Sequence, residues 1–120
     1  MYTLREYMSN SMPDDRREIW FALGNFLDSF KLDPNPARLA EPTEPIDVQT
    51  DAFLAGAAEH LSRQNGIALP AWAGDEKYYL KDPFFPSGLT GPYRIFLLAD
   101  SPLAFKSRNI YVEANVLSRC

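Results

Sequence analysis

Few side chains in this chain have the type and spacing that chemistry requires. The sequence contains one histidine, His60, and one cysteine, Cys120, so a structural zinc site lacks ligands. Asp47 and Asp51 lie four residues apart, a spacing that puts both carboxylates on one helix face, where they could hold magnesium. Acidic residues at the start of a helix also stabilise its positive end, and we favour that interpretation. We therefore predict no metal site and no cofactor.

Acid–base catalysis would depend on His60, because it is the only side chain whose ordinary pKa lies near neutrality. It follows Glu59 but belongs to no recognisable nucleophile motif, and the six glycines form no phosphate-binding loop. On a helical wheel His60 falls at the margin of an apolar stripe, which favours a ring that leans on the core. We assign no catalytic residue. Our leading hypothesis is therefore a non-catalytic interaction protein. The alternative is a small hydrolase or transferase that uses His60 with Glu59 or with another carboxylate on the helix.

Two features could support nucleic-acid binding. One is base stacking on Trp72, Tyr78 or Phe84, which needs a basic surround that the acids between them offset. The other is a turn at Asp100-Ser101-Pro102 between two short helical segments, which loosely suggests a helix-turn-helix. Lys106 and Arg108 follow it and would reach phosphates or base edges. The formal net charge of -4 argues against this, since nonspecific nucleic-acid binders are usually basic. A DNA-binding accessory protein is the third hypothesis, and we expect no nucleic-acid partner.

An aromatic-proline loop at residues 68–92 is the most unusual segment. It is too apolar to lie exposed and too rich in proline for a regular helix or central strand. Its rings either brace the core or line a groove for a protein partner, and interfaces favour such residues. The residues assigned to partner binding are Trp72, Tyr78, Phe84 and Phe85. We expect the partner to be a different protein, and a second copy of this chain is the other candidate.

Helix signals dominate the first half of the chain. Thr3 and Glu6 have the spacing of a capping box, and Ser11 with Pro13 predicts the start of a second helix. Six apolar residues then fall on one stripe of that helix: Ile19, Trp20, Leu23, Phe26, Leu27 and Phe30. Residues 33–45 contain four prolines and predict a surface loop. A third helix is predicted over residues 46–64, packed against the second, with a left-handed end at Asn65-Gly66.

The second half predicts shorter elements. Pro92 starts a short helix, Ser101 caps the next one, and the run from Ile110 to Val112 has strand character without an obvious partner strand. We therefore predict a mostly α-helical protein of four to six helices, with a long irregular aromatic and proline-rich connection and at most one short strand pair. Residues 1–120 form a single domain, the size of which suits one hydrophobic core.

The cellular compartment is predicted from cysteine content and hydropathy. A single cysteine allows no disulfide within the chain, which is typical of a reducing compartment. The N-terminus lacks the pattern of a signal peptide, and no apolar run is long enough to span a bilayer. We expect a cytoplasmic protein that does not insert into membranes.

The stretch from Leu69 to Leu117 resembles an uncharacterised bacterial helical domain. The resemblance is carried by the sequences Leu-Pro-Ala-Trp, Asp-Pro-Phe-Phe-Pro and Asn-Ile-Tyr-Val-Glu-Ala-Asn-Val-Leu. Such domains occur at the C-terminus of helix-turn-helix regulators, or alone beside a nucleotidyltransferase toxin. The resemblance implies a regulatory or antitoxin-like protein with a partner encoded nearby, rather than an enzyme. No recognisable DNA-binding domain precedes this stretch here, and the family carries over no catalytic residues.

Overall fold

The computed structural model describes residues 3–9, 16–43, 45–86, 93–113 and 117. Over these residues the chain forms five α-helices: α1 (Leu4–Ser9), α2 (Arg16–Leu32), α3 (Val48–Gln64), α4 (Tyr93–Asp100) and α5 (Leu103–Lys106). Three 3₁₀ turns cover Pro36–Leu39, Ala71–Gly74 and Glu76–Tyr78. The protein is a small, mostly helical domain, as predicted. Among the described helices, none combines the length and the apolar character needed to cross a membrane.

The capping box predicted at the start of α1 is confirmed. The backbone N–H of Glu6 donates to Oγ1 of Thr3, and the N–H of Thr3 donates to Oε1 of Glu6, both at 3.2 Å. These two bonds satisfy backbone donors that a helix start leaves without partners. Helix α1 packs against α2. The predicted cap of α2 at Ser11 and Pro13 lies outside the described residues.

Helix α2 buries the stripe that its sequence predicted. Leu23, Phe26, Leu27 and Phe30 are all buried in the main core. The two remaining residues of the stripe are Ile19 and Trp20, the side chains of which are not among those that the structure describes. The apolar period of 3.6 residues therefore indicated the inward face of this helix correctly wherever it is described.

The proline-rich segment at residues 33–45 was expected to lie on the surface, and this is only partly correct. Its 3₁₀ turn buries Leu39 completely and leaves Arg38 3% exposed. The Arg38 guanidinium donates to the backbone oxygens of Ser29 (2.9 Å) and Asp33 (3.1 Å), and so satisfies carbonyls at the end of α2. The segment therefore caps α2 and contributes to the core instead of only covering it.

Helix α3 lies at the centre of the protein. Asp47 caps its start by accepting from the N–H of Thr50 at 2.8 Å, and Gly66 ends it with a φ of 64°. All eight residues from 52 to 59 are buried, so the middle of the helix is enclosed on every face. Short side chains on α3 make this enclosure feasible, since neighbours can approach its backbone from several sides.

The close neighbour of α3 is α5 rather than the α2 expected from the sequence. A Cβ placed on Gly56 would lie 2.8 Å from Cδ1 of Phe105, a distance at which one of the two must shift. The Phe105 ring is fully buried and also contacts Phe53, with ring centroids 5.0 Å apart. Glycine at position 56 therefore provides the space in which α5 is seated.

The connection after α4 differs from the prediction at Ser101. Its hydroxyl does not cap α5; it donates to Leu97 O at 2.5 Å and accepts from the N–H of Val112 at 2.8 Å. Ser101 thus ties the end of α4 to the extended segment that follows α5. In that extended segment, Ile110 forms a parallel bridge with Phe84. Among the described residues this is the one β-type pairing, which agrees with the prediction of at most one short strand pair.

Candidate functional site

Only some side chains of the aromatic-proline loop pack against the protein itself. Within its described residues 68–86, Ala73 and Tyr78 are buried and more than half of the positions are exposed, so the expectation that the loop would be buried is wrong for most of it. Tyr78 is buried and meets the Trp72 ring edge to face, with centroids 5.8 Å apart. The half-buried Trp72 donates from Nε1 to the backbone oxygen of Leu39 at 2.8 Å. Its indole therefore joins this loop to the proline-rich segment. These two predicted partner-binding residues act as braces in the described structure.

Phe84 and Phe85 are held at the far end of the same loop. The N–H of Phe84 donates to Asn109 O, and Phe84 O accepts from the N–H of Tyr111, both at 2.9 Å. Phe85 packs on the Tyr111 ring with a centroid distance of 5.4 Å. Both phenylalanines are half-buried. The structure therefore separates the four predicted residues into two pairs, each packed against a different part of the chain.

The central polar cluster of the protein is built around Arg108, which is 0% exposed. Its Nη1 donates to Oε1 of Glu59 at 2.7 Å and to Ala104 O at 2.6 Å. Its Nη2 donates to Ala73 O at 2.5 Å, while the guanidinium lies 4.9 Å from the centroid of the Tyr79 ring. One side chain thus joins α3, α5 and the aromatic-proline loop.

This position corrects the prediction that Lys106 and Arg108 form a positive face for DNA. The guanidinium of Arg108 is enclosed and cannot reach a phosphate from the surface. Lys106 is exposed, and its Nζ donates to Ala99 O at 3.4 Å. Little in the sequence signals this difference, because both residues follow the same turn and only tertiary contacts distinguish them.

The carboxylate of Glu59 is shared between two arginines. Besides Arg108, it accepts from Nε of Arg63 at 2.8 Å. Burial alone would raise the pKa of Glu59, but the hydrogen bonds and positive charges of Arg108 and Arg63 outweigh it and hold that pKa below its ordinary value. Glu59 is therefore ionised and occupied by structural bonds, which leaves it poorly suited to serve His60 in catalysis.

His60 lies half-buried, as its position at the stripe margin predicted. Its ring packs against Phe105 with a centroid distance of 5.9 Å, and burial lowers its pKa below the ordinary value. Within the described part of the chain, no side chain forms a hydrogen bond to the imidazole. A nucleophile aligned by His60 is thus missing from these residues.

Asp47 and Asp51, the two acids considered for magnesium, accept hydrogen bonds from backbone N–H groups at the start of α3. Asp47 caps α3, while Oδ1 of Asp51 accepts from the N–H of Ile46 at 3.0 Å. Burial raises the pKa of Asp51, partly against the effect of that hydrogen bond. Across the residues that the structure describes, no three metal-ligating side chains come together. The interpretation of these acids as stabilisers of the helix start accounts for their contacts.

A groove that the sequence did not indicate runs along the start of α3. It consists of two cavities of about 320 and 430 Å³, which share Val48 and Lys77 in their walls. Tyr79 and Leu80 line the larger cavity, and Pro42 lines the smaller one. We call this feature the Val48 groove. The one sequence feature that could have indicated the groove is Val48, an apolar residue at the first position of a helix, where a side chain can remain exposed.

Comparison with known proteins adds no assignment to this geometry. No family model, no curated protein and no solved structure matches the chain. The resemblance of residues 69–117 to a bacterial helical domain therefore stays a prediction. The candidate site rests on the geometry of this chain alone.

Proposed function

We propose that this protein is a non-catalytic interaction protein of the bacterial cytoplasm, which binds a segment of another protein in the Val48 groove. The groove borders the aromatic-proline loop, where the sequence predicted partner binding. Of the residues predicted to bind a partner, Tyr78 lines the smaller cavity of the groove and packs against Trp72. We expect Val48 and Tyr79, which are more exposed, to make the main contacts with the partner.

The observation that carries this proposal is the exposure of apolar side chains along the groove. Val48 is 68% exposed and Tyr79 is 41% exposed, and both line the cavity of about 430 Å³. Aromatic and aliphatic side chains at a concave surface are typical anchors of protein interfaces. The Tyr79 ring is supported from within the protein, because it stacks on the guanidinium of the buried Arg108. A preorganised groove of this kind lowers the cost of ordering a bound segment.

The charges on the groove suggest the chemistry of its occupant. Lys77, Lys81, Glu76 and Asp82 all line the larger cavity, so charges of both signs lie beside the apolar walls. An extended segment with an apolar anchor and flanking charges of both signs complements this pattern. Such charges fix register and partner choice more than affinity.

The alternatives have less support in the described residues. A hydrolase or transferase would need His60 beside a nucleophile, and its ring instead packs on Phe105. A DNA-binding accessory protein would need Arg108 at the surface, and it is enclosed. The resemblance to regulator and antitoxin modules points in the same direction as the groove, towards a protein partner encoded by a neighbouring gene.

The test uses two substitutions of exposed apolar residues. Val48→Asp places a charge in the groove, whereas Leu32→Asp places one at an 88% exposed position of α2 that lines neither groove cavity. Both sites are exposed, so neither variant should change stability much. The binding probes are peptides selected on the wild-type protein from a random display library, together with the separately purified products of adjacent genes.

We expect Val48→Asp to weaken binding at least about tenfold, since a charge would be desolvated against an apolar anchor, while Leu32→Asp binds like the wild type. Titration calorimetry measures both affinities. Equal binding by the wild type and Val48→Asp would refute the groove as the docking site. A normal fold, measured by circular dichroism, is required of each variant.

A further inference from the structure

The junction between Asn65 and Gly66 differs chemically from every other asparagine position in the chain. Glycine follows Asn65, whereas each of the other asparagines precedes a residue with a side chain. The complete set is Asn10, Asn25, Asn35, Asn65, Asn109 and Asn115. A backbone nitrogen that follows an asparagine can attack the side-chain amide, and a side chain on the following residue hinders this attack. The neighbouring glycine therefore makes Asn65 the least hindered of the six.

The attacking nitrogen at this junction, that of Gly66, is not engaged in a hydrogen bond with any described residue. Among the described residues, the N–H of Gly66 donates no hydrogen bond, although that of Ile67 donates to Ser62 O at 2.9 Å. Gly66 also has no atom within 4 Å of the position a Cβ would take, and Asn65 is exposed. Water therefore has access to the junction.

Two other asparagines provide a contrast within the same protein. Asn35 precedes Pro36, which has no N–H. Asn109 precedes Ile110, the N–H of which donates to Phe105 O at 3.0 Å. In both cases the attacking nitrogen is absent or occupied, so the free N–H after Asn65 is a distinguishing property.

We propose that Asn65 is the site of a spontaneous deamidation that alters the end of α3. The nitrogen of Gly66 loses its proton and forms a bond to Cγ of Asn65, and the Cγ–Nδ2 bond breaks to release ammonia. Water then opens the resulting five-membered imide at one of its two carbonyls. The products are an aspartate, or an isoaspartate in which the backbone runs through Cγ. No oxidant, reductant or enzyme takes part.

The folded helix end restrains this reaction. Nδ2 of Asn65 donates to Leu61 O at 2.8 Å, and the Asn65 N–H donates to the same oxygen at 3.1 Å. Both bonds hold the residue at the helix end, with a φ of -106° and a ψ of 6°. Ring closure requires Asn65 to rotate away from this geometry, so it proceeds when the last turn of α3 opens. Deamidation then reports on the stability of that turn.

The product weakens the turn from which it forms. A carboxylate cannot donate to Leu61 O, and its negative charge lies at the negative end of the α3 dipole. Asn65 also lines a cavity of about 270 Å³ with Lys31 and Leu61, so the reaction places a new charge at the mouth of that cavity. The modified protein is expected to have a lower Tm than the unmodified one.

The test follows the intact protein during incubation at mildly alkaline pH, in buffer and in guanidinium chloride. Peptide mapping by mass spectrometry measures the conversion of each asparagine from amide to acid. We expect Asn65 to convert before any other described asparagine, and to convert faster in denaturant than in buffer. Asn65→Gln is the non-reacting control, since its ring closure is much slower. Asn65→Asp, prepared directly, is expected to lower the Tm relative to Asn65→Gln.

Each outcome decides one part of the proposal. If Asn65 remains an amide in both conditions, or converts no faster than Asn25 and Asn109, it is not the modification site. Equal rates in buffer and denaturant would show that the helix end does not restrain the reaction. A Tm for Asn65→Asp equal to that of Asn65→Gln would refute the claim that the product weakens α3.

Discussion

Replacing Arg108 by methionine tests whether its buried guanidinium holds the aromatic-proline loop to the helical core. Methionine keeps a long apolar side chain but removes the donors to Glu59, Ala73 and Ala104. The side chain of Glu59 is 6% exposed, and Arg63 would then be its remaining charged partner. The loss thus leaves a buried carboxylate and two carbonyls short of hydrogen bonds.

The expected cost follows from the burial of the pair. Removing one partner of a buried ion pair costs about 3–5 kcal/mol. Arg63 still reaches Glu59 from a side chain that is 57% exposed, so we expect the lower end, about 3 kcal/mol. A domain of this size has a total stability of about 5–15 kcal/mol, and a loss of this size lowers Tm by about 12 °C.

Two further variants separate the ion pair from simple loss of packing. Arg63→Met removes the exposed partner of the same carboxylate and should cost about 1 kcal/mol or less, as surface pairs do. Combining Arg108→Met with Glu59→Leu removes both buried charges, and we expect it to recover at least about 1 kcal/mol relative to Arg108→Met. Guanidinium unfolding followed by circular dichroism gives these differences at a constant m-value.

The result that would refute this reasoning is an Arg108→Met protein within about 0.5 kcal/mol of the wild type, the range of ordinary surface substitutions. Equal losses for Arg63→Met and Arg108→Met would also contradict it, because burial is what distinguishes the two partners. Hydrogen exchange provides an independent measurement. Amides of residues 73–84 should exchange faster in Arg108→Met than in Arg63→Met.

Two other predictions concern the surroundings of α3. Gly56→Ala should destabilise the protein by about 1–2 kcal/mol in denaturant unfolding, because overpacking against Phe105 outweighs the gain in helix propensity; an unchanged or higher stability would show that the α5 contact yields easily. The free energy of unfolding should also decrease in two steps as the pH is lowered. Burial holds the pKa of His60 below that of the unfolded chain, so stability falls as pH drops through about 6.5, where the unfolded state binds a proton first. The pKa of Glu59 is likewise lowered, and its contribution is lost further down, as pH falls from about 4.3 through its folded value. The raised pKa of Asp51 acts in the opposite sense and partly offsets the lower step. Unfolding curves recorded at a series of pH values give the free energy of unfolding against pH. His60→Gln should remove the decrease near pH 6.5, and the same decrease in that variant would count against a buried imidazole.

The helices could be predicted from sequence because their signals are local. Thr3 and Glu6 identify the start of α1, Asp47 begins α3, and Gly66 ends it, in each case through hydrogen bonds or dihedral angles within a few residues. The apolar period of α2 likewise indicated which described side chains enter the core. These features depend on chain geometry that is the same in any fold.

The candidate site was much less predictable. Val48 lies exposed beside Tyr79 only because the loop at residues 76–82 folds back to the start of α3, a contact between residues about thirty apart in sequence. Two of the rings predicted to meet a partner also pack within the protein, since the Trp72 indole donates to Leu39 O and Tyr78 packs against Trp72. Aromatic composition indicates that a surface is buried but not by which neighbour.

By itself, the sequence determined a small helical protein, the start of α1, both ends of α3 to within two residues, and the absence of a recognisable catalytic motif. The tertiary structure decided which polar residues are enclosed and where a groove opens. Arg108 shows the difference most clearly: in sequence it is one more cation after a turn, and in the fold it is bound to Glu59, 49 residues away. Burial is a property of contacts between distant segments, and a local pattern cannot contain it.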